Sequence, residues 1–119
     1  MKKAKFKYYL KNNDLVTCFD SNGYYYEDKK VLVFNEDNGT QVFVDMNNLL
    51  LTRENTEMLL VIDFNNGNSF VQMKQMGKKI EMPTQITHKK LESNRFMANY
   101  TLSENNNFEF MIEWFLGGE

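Results

Sequence analysis

The sequence predicts an all-β protein, a small antiparallel β-barrel of about eight to ten strands, from three features of the chain. Apolar side chains recur at every second position, as a strand with one buried face requires. Tight-turn signals separate these stretches at fairly regular intervals, which is typical of antiparallel sandwiches and barrels. No segment carries a long apolar stripe at helical spacing. The alternation is clearest near the end of the chain, where one face would hold Phe108, Phe110, Ile112, Trp114 and Leu116.

Taken in order, the turn signals divide the chain into short strands. The strongest are Asn22-Gly23, Asn38-Gly39 and Asn66-Gly67, because type I′ hairpins need positive φ at both central residues. Further turns are predicted at 12–14, 47–48 and 104–107. Strands are predicted over 3–11, 14–20, 23–27, 30–35, 40–46, 49–53, 56–64, 69–76, 95–103 and 108–116, with two short strands around Pro83 between 78 and 91.

The stretch from 84 to 93 is the one place where a helical turn competes with a strand. The β-branched side chains of Thr84, Ile86 and Thr87 favour extension there. A chain of 119 residues with no internal repeat and a single proline predicts one domain over 1–119.

Composition excludes several function classes. The net charge is −2, with 14 basic and 16 acidic residues, so no overall charge draws the chain to nucleic acid or to an anionic membrane. The early lysines fit a solvated strand face, and Tyr24, Tyr25 and Tyr26 would not all share one stacking platform. No apolar run approaches the roughly 18 residues of a membrane-spanning helix. The expected partners include neither nucleic acid nor membrane.

Candidate chemistry is sparse. Cys18 is the only cysteine, so no intrachain disulfide forms and a reducing cytoplasm is expected. His88 is the only histidine and lies in a polar stretch, which predicts no zinc site and no base for the Cys18 thiol. Glu109 and Glu113 would be about 13 Å apart on one strand, which favours solvent exposure over catalysis. The sequence therefore predicts no enzyme, no cofactor and no metal site.

Between about residue 23 and residue 114, several short pieces of sequence occur in a recognisable order. They are Phe34-Asn35-Glu36, Leu51-Thr52-Arg53, Met58-x-Leu60-x-x-x-Phe64, Gly77, Met82-Pro83-Thr84, Tyr100-Thr101-Leu102 and the closing alternating strand. In these pieces the chain resembles the bacterial YwiB-like family of calycin-type β-barrels. Glu54 stands where the family usually has glycine after the arginine. The resemblance implies a small calycin-like (lipocalin-like) barrel and no activity.

Two functions are open at this point, beside a third, nucleic-acid binding on a small barrel, for which no binding is expected. The first is binding of a small apolar or amphipathic molecule in the barrel mouth, with Arg53 fixing a polar head group, since small barrels have either a filled interior or one ligand cavity. The second is a protein-interaction module, including a homo-oligomer, on a fully packed barrel. The residues predicted to line the ligand site are Arg53, Phe64, Met73, Met97, Phe110, Ile112 and Trp114.

Overall fold

Ten antiparallel strands form the protein in a computed structural model that describes residues 1–36, 38–102 and 106–117. No helix occurs within these ranges. The strands are β1 (Lys2–Asn12), β2 (Leu15–Tyr26), β3 (Val31–Asn35), β4 (Gln41–Asp45), β5 (Leu50–Glu54), β6 (Met58–Asp63), β7 (Asn68–Met73), β8 (Lys78–Leu91), β9 (Arg95–Leu102) and β10 (Asn106–Leu116).

The strands close into a barrel. Each strand pairs with its neighbours in sequence, and β1 also pairs with β10, with Phe6 opposite Trp114 and Tyr8 opposite Ile112. Closure leaves no unpaired edge on the sheet. The prediction of an all-β antiparallel barrel is therefore confirmed, and the strand count is ten.

The hairpin predicted at Asn22-Gly23 is wrong. The predicted strands 14–20 and 23–27 are one continuous strand, β2, which pairs with β1 from Leu15 to Tyr25. Gly23 serves close packing instead of a turn, because a Cβ placed there would lie 2.1 Å from the Val33 carbonyl oxygen and 2.8 Å from the Phe6 ring. The Asn-Gly pair misled because glycine suits a close approach as well as a turn.

The two short strands predicted around Pro83 are also one strand, β8. Pro83 pairs with Asn68 at the start of β7, and the pairing of β8 with β9 begins one residue later, at Thr84. Pro83 therefore lies at a position where the absence of a backbone N–H donor costs the sheet little stability. A bulge between Ile86 and His88 lets the long strand bend, and residues 84 to 91 are extended, not helical.

Most predicted turns are confirmed. Asn13, Gly39 and Gly67 have φ of 54°, 86° and 76°. Asp63 holds the 65–67 turn, since its Oδ1 accepts hydrogen bonds from the amides of Asn65 and Asn66, both at 2.9 Å. Asp37, Glu104 and Asn105 lie outside the described residues, while residues 106 and 107 belong to β10.

The barrel interior has two unlike halves. In one half the inward side chains are fully buried around the aromatic pairs Phe6–Phe34 and Phe64–Phe96, whose ring centroids are 4.9 and 5.2 Å apart. Lys89 covers this closed end, donating from Nζ to the Phe64 carbonyl at 3.2 Å. Each such buried aromatic stabilises the fold by about 2–3 kcal/mol. In the other half, the inward side chains are only partly buried, and this half holds the candidate site.

Candidate functional site

The mouth is defined as the end of the barrel at which β1, β3, β5, β7 and β9 finish. Six half-buried hydrophobic side chains face inward on the mouth side and pack on the core beneath them. Burial falls here because strand ends leave inward side chains without a further layer to cover them. The six, called the mouth wall, are Leu10, Phe19, Leu60, Ile86, Leu102 and Phe108.

An arginine–glutamate pair lies inside the mouth. Arg53 faces inward because it pairs with Val42 and Leu60, which are inward residues of β4 and β6. Glu36 follows β3 on the same face as Phe34. The Nε and Nη2 atoms of Arg53 donate to the two carboxylate oxygens of Glu36 at 2.7 and 2.8 Å. The side chains are 26% and 13% exposed, so the pair is largely removed from solvent.

The contact with Glu36 favours the charged form of Arg53. Burial lowers the pKa of Arg53, but the hydrogen bonds and the charge of Glu36 outweigh it and hold that pKa above its ordinary value. A guanidinium has five N–H donors, and Glu36 occupies two. Three donors of Arg53 are therefore left to face other groups in the mouth.

Two tyrosines form the floor beneath this pair. Tyr8 stacks on Phe19 at 4.6 Å and Tyr100 stacks on Phe108 at 5.1 Å, so aromatic contacts to the mouth wall fix both rings. Burial raises the pKa of Tyr8 to about 12, with the Arg53 charge opposing the rise. Burial likewise holds the pKa of Tyr100 above its ordinary value. Both hydroxyls are therefore protonated donors at neutral pH.

Asn12 adds an unpaired acceptor to the mouth. Its Oδ1 is buried and has no hydrogen-bond partner among the described residues. Asn12 shares the inward face of β1 with Leu10 and lies opposite Phe108 of β10. A buried polar atom without a partner costs about 1–3 kcal/mol, so a hydroxyl or amide donor entering the mouth would gain a favourable contact.

Of the residues predicted to line a ligand site, some lie in or at the rim of the mouth and others lie in the buried core. Met97 lies on the outer face of the barrel. Arg53 lies in the mouth, and Met73 shares its inward face but is exposed at the rim. Phe64, Phe110, Ile112 and Trp114 face inward but belong to the buried core, with Phe110 packed against Tyr8. That any of these residues touches a ligand stays a prediction.

The inward position predicted for Met97 is wrong. Met97 lies on the outer face of β9, opposite Met111 of β10. Its neighbours Phe96 and Ala98 are the buried, inward residues. Alternation had indicated this, because a side chain next to a buried one in a strand faces the other way.

Glu36, Tyr8, Tyr100 and the mouth wall escaped the sequence prediction. Glu36 and Arg53 both lie in segments that carry the family resemblance, which was the available signal. Nothing in the sequence pairs them, because they are 17 residues apart, with Glu36 just after β3 and Arg53 on β5.

The other candidate groups lie outside the barrel. Cys18 and His88 are exposed on the outer faces of β2 and β8, four strand spacings apart around the sheet. At about 4.8 Å per spacing, the path between them is about 19 Å. In the part of the chain that the structure describes, no three histidine, cysteine or acidic residues are grouped to hold a metal ion. Across the same residues, no helix has the length and hydrophobicity to cross a bilayer.

Fold and site together define a closed, ten-stranded antiparallel barrel with an arginine–glutamate pair inside its mouth. The crystal structure of the ywiB protein from Bacillus subtilis has the same fold, with a TM-score of 0.59 and 15% sequence identity over 98% of this chain and 92% of that one. The predicted likeness to YwiB is thus confirmed as a likeness of fold. Searches of protein-family models and of curated proteins gave no match.

The buried Tyr8 hydroxyl predicts a loss of stability in alkali. Its pKa is 10.0 when exposed and about 12 in the fold, so the folded state keeps this proton more tightly. The unfolding free energy should be unaffected by Tyr8 below about pH 10 and fall as pH rises toward 12, by about 3 kcal/mol. Urea denaturation at several pH values measures the slope.

The matched controls are two phenylalanine variants on the same strand. Tyr8→Phe should reduce the alkaline slope to the part that the buried Tyr100 contributes, whereas Tyr9→Phe, on the outer face, should leave the slope unchanged. An unchanged slope in Tyr8→Phe would contradict the assignment.

Proposed function

We propose that the protein is a non-enzymatic binder of a small amphipathic molecule held in the barrel mouth. The observation that carries the proposal is the Arg53–Glu36 pair set among half-buried apolar side chains. Ligand sites are typically apolar concavities with a few placed polar groups, and the mouth has this composition.

The charges define which end of a ligand would enter first. Glu36 balances the charge of Arg53, while three N–H groups of Arg53 and the hydroxyls of Tyr8 and Tyr100 are donors in the mouth. A ligand end that accepts hydrogen bonds, such as a carboxylate or carbonyl, complements this set. The apolar remainder of the ligand would lie along the mouth wall.

Barrel size supports the same proposal. An eight-stranded barrel is just wide enough to be filled by its own side chains or to hold one small ligand, and diameter grows with strand number. Ten strands enclose a wider interior. Large aromatic residues fill the closed half, whereas the inward side chains of the mouth wall are only half-buried.

The position of the reactive groups supports the proposal of a binding role over a catalytic one. A thiol nucleophile needs a base within hydrogen-bond reach. The path of about 19 Å from Cys18 to His88 is far beyond that reach, and neither faces the mouth. This separation supports the proposal that the protein is not an enzyme.

The test is calorimetric titration with dodecanoate, which joins an apolar chain to an accepting end. We expect saturable binding that weakens about tenfold in Leu60→Gln, since a polar amide then replaces a wall residue. Leu59→Gln is the matched control, because Leu59 is also half-buried but faces outward on the same strand. Dodecanol, which lacks the carboxylate, should bind more weakly than dodecanoate.

Failure of dodecanoate to bind, or equal losses in Leu60→Gln and Leu59→Gln, would contradict binding in the mouth. Urea midpoints of both variants show whether each is still folded under the titration conditions.

A further inference from the structure

The outer face of β2, β1, β10 and β9 carries an apolar row that crosses all four strands. Cross-strand pairing aligns Cys18 with Tyr9, Tyr9 with Met111, and Met111 with Met97. Cys18 is exposed and the other three are half-buried. A groove of about 400 Å³, lined in part by Tyr9, Cys18 and Met111, runs along this face. This set of four residues is called the outer row.

Charged rows flank the outer row on both sides. On the side toward the closed end, the register aligns residues of alternating sign, in the order Asp20, Lys7, Glu113 and Arg95. On the side toward the mouth, the aligned residues are Val16, Lys11, Glu109 and Asn99.

These rows are complementary to a second copy of the same face. Consider a two-fold axis that runs parallel to the strands, between β1 and β10. The axis places β1 of one copy over β10 of the other and β2 over β9. Lys7 then faces Glu113 of the second copy, Lys11 faces Glu109, and Asp20 faces Arg95. In the apolar row, Tyr9 faces Met111 across the axis, while Cys18 and Met97 lie further out, where the two barrel surfaces curve apart.

A two-fold axis in the interface plane but perpendicular to the strands would give an unfavourable dimer. A two-fold axis perpendicular to the strands, along the outer row, would exchange the two charged rows. Lys7 would then face Lys11, and Glu113 would face Glu109. Such like-charge contacts across an interface cost several kcal/mol. The charge pattern therefore selects one arrangement out of two.

Contacts within one copy leave these charges available. Lys11 lies 3.8 Å from Glu109 and Lys7 lies over the Phe115 ring at 6.0 Å, both on the exposed surface. Arg95 binds Glu92 through Nε at 2.7 Å, and the guanidinium has further donors for Asp20 of a second copy. Facing sheets are about 10 Å apart, a gap that these long side chains span.

We propose that the outer face of β2, β1, β10 and β9 is a homodimer interface, with a two-fold axis parallel to the strands between β1 and β10. The interface is isologous, since the same patch serves both copies. It leaves the mouth uncovered, so it is independent of the proposed binding function.

The test of this dimer exchanges charges on β1 and β10. Glu113→Lys places two lysines face to face twice in each dimer, and sedimentation equilibrium should show the dissociation constant rising roughly tenfold or more. Adding Lys7→Glu restores opposite charges and should restore the dimer. Glu81→Lys, which changes net charge equally on exposed β8, should leave the dimer intact. A monomeric wild type at its highest soluble concentration, or no rescue by the double variant, would overturn the proposal.

Discussion

Gly23→Ala is expected to destabilise the barrel by at least about 3 kcal/mol. The new Cβ would lie 2.1 Å from the carbonyl oxygen of Val33 and 2.8 Å from the Cβ of Phe34 and the Phe6 ring. Real Cβ atoms do not approach backbone that closely, so β2 and β3 would have to separate where they pair. Overpacking a rigid site commonly costs about 1–3 kcal/mol, and a backbone clash belongs above that range.

Urea denaturation measures this loss, and Gly77→Ala is the matched control. Gly77 has a φ of 61° and nothing within 4 Å of an added Cβ, so it tests backbone strain without a clash. The control should lose only about 1 kcal/mol. Similar losses in both variants would refute the view that Gly23 serves close packing.

Arg53→Leu should destabilise the protein by about 3–4 kcal/mol at neutral pH, because it leaves the Glu36 carboxylate without its partner. Glu36 is only 13% exposed, so water cannot replace both hydrogen bonds. Breaking one side of a buried ion pair typically costs this much, whereas removing both sides costs far less. Denaturant unfolding of the two single variants and the double variant measures the coupling between the side chains.

The double variant Arg53→Leu with Glu36→Leu should recover most of the stability. In contrast, Lys74 and Glu54 form an exposed ion pair at 2.8 Å, and Lys74→Leu should change stability by less than about 1 kcal/mol. Additive losses from Arg53→Leu and Glu36→Leu would show that the mouth pair is not energetically coupled.

The sequence predicted the strands well because alternation and turn residues are local signals. The last strand shows this, since its inward residues Phe108, Phe110, Ile112 and Trp114 were predicted on one face and lie there. The errors at Asn22-Gly23 and Pro83 have a common cause. Glycine also occurs inside a strand where a neighbouring strand approaches closely, and proline also occurs where strand pairing ends. Only the adjacent strands decide which case applies.

The site was predictable only in part. The sequence predicted that Arg53 fixes the polar head group of a ligand, which stays a prediction, whereas its contacts with Glu36 and the two tyrosines depend on strand pairing. Met97 was placed inside although its neighbours Phe96 and Ala98 already indicated an outward position. The outer row is invisible in the sequence, because its members come from four strands and meet only through register.

The chain by itself determined that strands form, which face of most strands is apolar, and where most hairpins turn, since these properties arise within a few residues. The tertiary structure decided which inward side chains are buried in the closed half and which line the mouth. That distinction depends on how far each residue lies from the end of a barrel that ten strands build together. The pairing of Arg53 with Glu36 has the same origin, because strand register brings the two side chains together.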